Sequence, residues 1–229
     1  MRGSGKPVLL LHGYLSNKES FYYQTRFLSE NGFRVVAPDM PAFGASSPIK
    51  TAWSVSDYAC WLKDFIAAED LHGCFVIAHS FGARVIFKLL AEEAGIADRL
   101  IITGGAGLVK PRSAAYMRQV KRYRRIKKLF PKYAERHFGS EEYRTLPPLM
   151  KESYKLIVNE DLRGCARKVR VPTLLIYGRS DAVTPPDEEG EIFHSLIEGS
   201  RLEIIDGGHF CFSENSGRFN SLMLDFLNK

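Results

Sequence analysis

The stretch FVIAHSFGAR, residues 75–84, decides how the rest of the sequence is interpreted. Its first part is a continuous apolar run, which predicts a strand buried on both faces, and the part from Gly82 onward predicts a helix. Between them, small residues at positions 78 and 82 flank Ser80 at a distance of two, which lets the chain bend sharply. Ser80 is therefore expected at the tip of a turn, where helix N–H groups favour negative charge. Taken alone, the same pattern also fits an ordinary N-cap serine.

Predicted strands and helices alternate on both sides of this stretch. The strands are expected at residues 8–11, 33–37, 74–78, 100–103, 173–177 and 202–205. The helices are expected at residues 21–31, 56–69, 82–94 and 188–198 and near the C-terminus, with Ser56 as the N-cap of the second. Such alternation predicts an α/β fold with a doubly wound, mostly parallel sheet covered on both faces.

The composition agrees with one globular domain and excludes several other classes. The chain has 229 residues, of which 45% are hydrophobic and 25% are charged, so disorder is not expected. The longest apolar runs are far shorter than the ~20 residues that span a bilayer, and the N-terminus lacks the features of a signal peptide. Four scattered cysteines, Cys60, Cys74, Cys165 and Cys211, suggest neither a disulfide scaffold nor a zinc site with paired ligands. A reducing, cytoplasmic location is the prediction.

The alternation of strands and helices breaks between residues 108 and 168. This stretch has a helical pattern, and Pro111, Pro131 and the pair Pro147-Pro148 divide it into about three helices. We predict a helical cap at residues 109–167, inserted into a core made of residues 1–108 and 168–229.

The positive charge of the protein is concentrated in this insertion. The formal net charge is +6, but residues 110–136 hold eleven Lys or Arg and one acid, so the remainder is net acidic. The main interpretation of the basic helix at 113–130 is a cap helix with solvated charges. A weak contact of residues 110–136 with an anionic membrane surface or an acidic substrate is an alternative. Non-specific nucleic-acid binding is another, although basic charge alone predicts no specific site.

Four motifs resemble those of the α/β-hydrolase family, and the resemblance covers nearly the whole chain. Residues 9–14, LLLHGY, look like the family's first strand and the turn that follows it. Residues 37–44, APDMPAFG, are similar to its Pro-Asp-x-x-Gly-x-Gly turn, with Ala42 at the first glycine position. Residues 175–181, LIYGRSD, match the strand that ends in an acid, and residues 205–210, IDGGHF, match the loop that carries a base.

The resemblance implies a catalytic triad of Ser80, Asp181 and His209, in the chain order that this fold uses. It also implies that the backbone N–H groups of Tyr14 and Phe81 form the oxyanion hole. Each type fits the chemistry, because a serine needs a base and the carboxylate orients the imidazole. Related dehalogenases and epoxide hydrolases use an aspartate in place of this serine and are therefore disfavoured.

The other histidines are weaker candidates for the base. His79 adjoins the nucleophile and is expected to point elsewhere, and His12 belongs to the turn beside the oxyanion hole. His72, His137 and His194 follow no predicted strand and are expected to be solvated.

Relatives usually have two antiparallel strands before the first strand of this chain, and the sequence begins at the turn that enters it. The fold is therefore predicted to lack those two strands, with an unprotected sheet edge that a second copy in a homodimer would cover.

The function predicted from these observations is that of a serine hydrolase acting on small to medium carboxylic esters, with no metal and no cofactor. A thioesterase or carbon–carbon bond hydrolase with the same triad is an alternative, and so is a non-catalytic binding protein of this fold.

Overall fold

A sheet of six parallel strands forms the centre of the fold. The computed structural model describes residues 2–109, 114–129 and 141–229. The strands are β1 (Pro7–Leu11), β2 (Arg34–Val36), β3 (Cys74–His79), β4 (Ala97–Thr103), β5 (Thr173–Gly178) and β6 (Arg201–Ile205). Their order in the sheet is β2-β1-β3-β4-β5-β6, and every neighbouring pair is parallel. The predicted parallel sheet is confirmed, and each predicted strand lies within three residues of an observed one.

Helices connect the strands within the described ranges. They are α1 (Tyr22–Glu30), α2 (Val55–Ala68), α3 (Phe81–Glu92), α4 (Ala114–Leu129), α5 (Glu141–Thr145), α6 (Pro148–Val158), α7 (Arg163–Ala166), α8 (Glu191–Leu196), α9 (Cys211–Glu214) and α10 (Ser216–Leu227). A 3₁₀ turn at Lys18–Phe21 precedes α1, and a π turn at Pro186–Gly190 precedes α8. The helix predicted at 188–198 is therefore shorter than expected and begins with a wider turn.

The N-cap predicted for α2 is wrong. Ser54, not Ser56, caps this helix, because its hydroxyl accepts the N–H of Asp57 while the Asp57 carboxylate accepts the N–H of Ser54. Such reciprocal bonds need an acceptor side chain three residues after the cap, and Asp57 supplies it only for Ser54.

Helices cover both faces of the sheet, as predicted. Val76 and Ala78 of β3 point into a core shared with α2 and α3, whereas Phe75 and Ile77 point into a second core shared with α1 and α10. Because successive side chains of a strand alternate between faces, a central strand with both faces covered is apolar throughout. This explains the continuous apolar run that precedes Ser80.

The free edge of β2 has a neighbour from the chain itself. Arg2 forms an isolated antiparallel bridge with Val35, in which each backbone N–H donates to the other residue's carbonyl at 3.0 and 2.7 Å. The expectation of an unprotected edge is therefore wrong at Val35, since one residue of the N-terminal segment occupies that position. As predicted, no strand precedes β1 among the described residues.

Between β4 and β5, the described residues form four helices, α4 to α7. Helix α6 buries Met150, Ser153 and Ile157, whereas the described side chains of α4 are exposed or half-buried. Pro111, Pro131 and His137, with part of the basic segment, lie outside the described residues. No helix in the described ranges is long and apolar enough to cross a bilayer.

Candidate active site

The predicted site residues follow strands that end at the same edge of the sheet. Tyr14 follows β1, Ser80 follows β3, Asp181 follows β5 and His209 follows β6. Because these strands are parallel members of one sheet, with only β4 between β3 and β5, the residues after their carboxyl ends gather along one edge, where open α/β sheets place their sites.

Ser80 occupies a strained turn between β3 and α3. Its φ of 49° and ψ of −105° lie in a region that side chains other than glycine rarely adopt. The backbone N–H of Ser80 donates to the carbonyl of Thr103 at 3.2 Å, which ties the turn to the end of β4. A Cβ at Gly82 would lie 2.4 Å from the carbonyl oxygen of Leu11, so α3 begins where a larger residue does not fit. Close packing on neighbouring backbone therefore holds the serine at the tip.

His209 and Asp181 are joined by a short hydrogen bond. Nδ1 of His209 lies 2.8 Å from Oδ2 of Asp181, and the Asp181 side chain is fully buried. Since a carboxylate accepts, Nδ1–H donates, which leaves Nε2 of a neutral His209 free to take a proton. Gly104, at the end of β4, packs on this pair, because a Cβ there would lie 3.1 Å from His209 Nδ1 and 3.3 Å from Asp181 Oδ2.

The Asp181 carboxylate accepts further hydrogen bonds from its own loop. The N–H groups of Val183 and Thr184 donate to Oδ1 at 2.8 and 2.9 Å, and the Thr184 hydroxyl donates to Oδ2 at 2.8 Å. Burial by itself raises the pKa of Asp181, but the hydrogen bonds from His209 and Thr184 outweigh it and lower the pKa below its ordinary value. The carboxylate is therefore ionised at neutral pH and suited to orient His209.

The two predicted oxyanion donors belong to residues whose side chains touch. The rings of Tyr14 and Phe81 pack edge to face with centroids 5.5 Å apart. Phe81 begins α3, where helical N–H groups have no partner within the helix. A Cβ at Gly13 would lie 3.5 Å from Cβ of Ser80, so the turn after β1 rests directly against the serine. Such backbone N–H groups can hold a developing oxyanion.

The side chain of His12 stabilises the turn after β1 through two hydrogen bonds. Its Nε2 accepts the N–H of Met40 at 2.9 Å, so Nδ1 carries the proton and donates to the carbonyl of Gly13 at 2.7 Å. Burial lowers the pKa of His12, which keeps the ring neutral. His12 thus supports the turn to which the sequence assigned it.

A buried carboxylate in the loop after β2 joins that loop to the 3₁₀ turn that begins at Lys18. Asp39 accepts the backbone N–H and the ammonium group of Lys18, both at 2.8 Å, and the N–H of Ala45 at 2.9 Å. Burial opposes ionisation, yet these hydrogen bonds outweigh it and lower the pKa of Asp39 to about 2.

Among the described residues, the ring of His209 hydrogen-bonds to Asp181 and lies 3.3 Å from the Thr184 hydroxyl through Nδ1, but it has no hydrogen bond from Ser80 Oγ. His72 is exposed, and His194 bonds to Ser200 on the surface at 2.9 Å. The expectation that His79 points elsewhere is wrong, because its ring packs on the ring of His209 with centroids 4.6 Å apart.

Sequence reasoning missed three residues that hold the acid and the base, namely Thr184, His79 and Glu214. Thr184 lies three residues after Asp181, the spacing of a local side-chain turn, and that spacing is a readable signal. Glu214 accepts the N–H of Gly208 at 2.5 Å, and neither this bond nor the His79 contact follows from sequence spacing. No group of His, Cys, Asp and Glu in the described part of the chain could hold a metal ion.

Comparisons with known proteins agree on one family. The model of the alpha/beta hydrolase family matches residues 8–222. The chain is 26% identical to the AB hydrolase superfamily protein YisY of Bacillus subtilis, with 99% of this chain and 93% of that protein covered. It is also 26% identical to a pimeloyl-[acyl-carrier protein] methyl ester esterase of Neisseria meningitidis, with 97% and 93% covered.

Solved structures of the same architecture are similar along their whole length. An esterase from Exiguobacterium antarcticum has a TM-score of 0.78 at 24% identity, covering 99% of this chain and 93% of that one. A bromoperoxidase from Bacillus anthracis has a TM-score of 0.81 at 23% identity, with 100% and 94% covered. A meta-cleavage product hydrolase from Pseudomonas fluorescens has a TM-score of 0.74 at 22% identity, with 99% and 92% covered. At these identities the likeness establishes the fold.

Proposed function

The chain belongs to the alpha/beta hydrolase family, and from that premise we propose that it is a serine hydrolase that cleaves small to medium carboxylic esters. The observation that carries the proposal is the 2.8 Å hydrogen bond between His209 and the buried Asp181, at the sheet edge where Ser80 stands on a strained turn. A binding protein of this fold has no need of an imidazole oriented in this way.

In the proposed mechanism, Ser80 Oγ attacks the ester carbonyl carbon while Nε2 of His209 takes the hydroxyl proton. The electron pair of the carbonyl bond moves to its oxygen, which the N–H groups of Tyr14 and Phe81 hold. The intermediate then collapses, the bond to the alcohol oxygen breaks, and His209 gives its proton to the leaving alcohol. Water repeats the sequence on the acyl-enzyme, with His209 again as the base, and releases the acid and free Ser80.

Asp181 has a separate task in this mechanism. Its hydrogen bond keeps the proton of neutral His209 on Nδ1, and its charge stabilises the imidazolium that forms in each half-reaction. The low pKa of Asp181 suits this task, because the carboxylate stays ionised while His209 is protonated.

The test is the mass of the intact protein after treatment with a fluorophosphonate, together with hydrolysis of p-nitrophenyl acetate. We expect one adduct and turnover for the wild type, and neither for Ser80→Ala. Ser195→Ala removes an exposed hydroxyl on α8 and should behave as the wild type. An adduct that persists on Ser80→Ala, or a folded wild type that neither reacts nor turns over, would refute the proposal and favour a binding protein.

Substrate class is tested next, with esters, thioesters and diketones of matched size. A preference for esters supports the proposal, whereas a preference for thioesters or for cleavage of a carbon–carbon bond supports the alternative with the same triad. We propose residues 109–167 as the cap that sets this preference. Three hydrogen bonds to the core support this assignment, since Met150, Ser153 and Ile157 of α6 bond to Tyr14, Trp53 and Arg84.

We also propose a cellular location and binding partners for the protein. All four cysteines are free thiols, which agrees with the cytoplasm. The exposed Lys121, Arg122 and Lys128 of α4 support a weak contact with anionic membranes. Salt-sensitive sedimentation with phosphatidylserine vesicles, absent with phosphatidylcholine, is the expected result, and the sedimentation coefficient would report a homodimer.

A further inference from the structure

A second imidazole lies against the ring of His209. His79 is the last residue of β3 and immediately precedes Ser80, and its side chain is buried. Its ring centroid lies 4.6 Å from that of His209, with the two planes inclined at 53°. The rings of Phe210 and Phe212 complete its surroundings, with centroids 5.0 and 4.8 Å away.

A hydrogen bond fixes the orientation and tautomer of His79. Its Nδ1 lies 3.0 Å from the carbonyl oxygen of Thr103, and because a carbonyl only accepts, Nδ1 carries the proton. The same carbonyl accepts the backbone N–H of Ser80, so one acceptor holds both the ring and the turn. Burial and the neighbouring His209 lower the pKa of His79 to about 3. His79 therefore stays neutral while His209 gains and loses its proton.

The His79 ring also touches the turn that carries a proposed oxyanion donor. A Cβ at Gly13 would lie 3.0 Å from Cδ2 of His79 and 3.4 Å from its Nε2, so the ring fills the space beneath that turn. One neutral ring thus contacts both the base and the residue that precedes Tyr14. Close packing of this kind transmits a displacement of either neighbour.

We propose that His79 is a positioning residue, whose ring limits the tilt of the His209 imidazole relative to Ser80. The inference rests on the proposed function, because it assigns His209 the role of the base. His79 does not touch the substrate and exchanges no proton with it.

The geometry of His209 explains why a contact with the His79 ring would matter. The polar contacts of the His209 ring, to Asp181 at 2.8 Å and to the Thr184 hydroxyl at 3.3 Å, are both made by Nδ1. They fix one point of the ring but let the ring tilt about that point. A tilt about Nδ1 shifts Nε2, which lies on the opposite side of the ring, relative to the serine. Misplacement of a reacting group by about 1 Å can lower a rate on the order of 100-fold. Contact with His79 on one side of His209 restricts this tilt.

The experiment separates the ring of His79 from its hydrogen bond. His79→Phe keeps an aromatic ring and loses the donor to Thr103, whereas His79→Asn keeps a donor of similar reach and loses the ring. The kcat and KM for p-nitrophenyl acetate and the rate of fluorophosphonate labelling are measured for each variant. Ile77→Val, which truncates the same face of β3 two residues earlier, controls for a general loss of packing.

We expect His79→Asn to lower kcat and the labelling rate by roughly 10- to 100-fold with KM unchanged, and His79→Phe to restore most of both rates. Ile77→Val should melt at a lower temperature with a wild-type kcat. If His79→Phe does not fold, His79→Leu gives the same comparison, because it also fills the space without a donor.

Two results would overturn the inference. Wild-type rates in His79→Asn would show that the ring is not needed. Higher rates in His79→Asn than in His79→Phe and His79→Leu would assign the effect to the bond with Thr103. Failure of the proposed function looks different, because wild type and Ser80→Ala would then behave alike, and the role of His79 would fall with it.

Discussion

The two sides of the proposed active site are held by different means. On the side of β1 and β3, backbone conformation sets the geometry. Leu15, Ala42 and Ser80 have φ values of 55°, 70° and 49°, although none is a glycine. On the side of β5 and β6, side-chain hydrogen bonds set it, and the Asp181 carboxylate accepts four of them.

This difference predicts different sensitivities. At a residue in a left-handed conformation, or at a close backbone contact, the size of the side chain decides whether it fits. Substitutions there therefore change stability first. A carboxylate and an imidazole depend on charge and on donors, so substitutions there change the chemistry first and leave the fold intact. Four substitutions, two on each kind of support, can break or sharpen this contrast.

The largest effect is expected for Asp181→Asn. The asparagine has nearly the same shape, but its amide can present a donor to Nδ1 of His209 and thereby favour the wrong tautomer. We expect kcat for p-nitrophenyl acetate to fall by about 10³- to 10⁴-fold, with the melting temperature little changed. Asp206→Asn, a change of an exposed carboxylate in the loop before His209, is the control and should keep wild-type kcat. A fall of stability in proportion to activity would contradict the contrast.

The second effect concerns stability on the other side. In Gly82→Ala the new Cβ would lie 2.4 Å from the carbonyl oxygen of Leu11, and a backbone atom cannot move aside without distorting β1. We expect the free energy of unfolding in urea to fall by about 3 kcal/mol. Gly217→Ala is the matched control, because Gly217 is also a helical glycine but the new Cβ would meet no atom within 4 Å beyond its own helix backbone and chain neighbours. That control should gain up to about 1 kcal/mol.

Much of this arrangement could be predicted from the sequence, because it is written in local patterns. The apolar run before Ser80 marks a central strand. Tyr14 and Asp181 follow runs of the same kind, whereas His209 follows the less apolar strand β6 at the side of the sheet. The alternation of strands and helices then fixes a parallel sheet with all of these residues at one edge. The fold was predictable for this reason, and so was the neighbourhood of the acid and the base.

The supports of the site were less predictable, because they depend on contacts between distant segments. The contact between His79 and His209 forms across the ends of two strands that are not neighbours in the sheet, and no spacing reveals it. Arg2 beside Val35 is a single bridge without any strand pattern. The N-cap of α2 was misplaced for a local reason, since the choice between Ser54 and Ser56 depended on noticing Asp57.

Asp39 sharpens the comparison between the two sides. Its side chain stabilises a loop on the side of β1 and β3, where backbone conformation otherwise sets the geometry. Its pKa is lowered from 3.8 to about 2, so it stabilises the fold above about pH 4, and this stabilisation is lost as the pH falls toward 2. The lowered pKa corresponds to about 2 kcal/mol. We expect Asp39→Asn to unfold at a lower temperature than the wild type at pH 7. The two melting temperatures should converge between about pH 4 and pH 2.

The exposed Asp64 is the control for this pH dependence, and Asp64→Asn should melt as the wild type does at pH 7. A difference between wild type and Asp39→Asn that persists unchanged at pH 2 would mean that the ionised carboxylate is not the source of the stabilisation.

The smallest effect is expected at Ala42, where the backbone conformation can be relieved without touching any proposed catalytic group. Met40 to Phe43 form a turn closed by a 2.9 Å bond from the N–H of Phe43 to the carbonyl of Met40, with Pro41 second and Ala42 third. A φ of 70° at the third position is typical of a type II turn, which favours glycine there. An L-residue in this conformation costs roughly 1–2 kcal/mol.

Ala42→Gly removes that cost, although the greater freedom of glycine in the unfolded chain offsets about half of it. We expect the free energy of unfolding to rise by about 0.5 to 1 kcal/mol, with kcat unchanged. Ala45→Gly lies in the same loop at a residue without a positive φ and should be destabilised by the entropy alone. Equal losses in both variants would show that Ala42 is not strained and that the two sides of the site differ less than their φ values indicate.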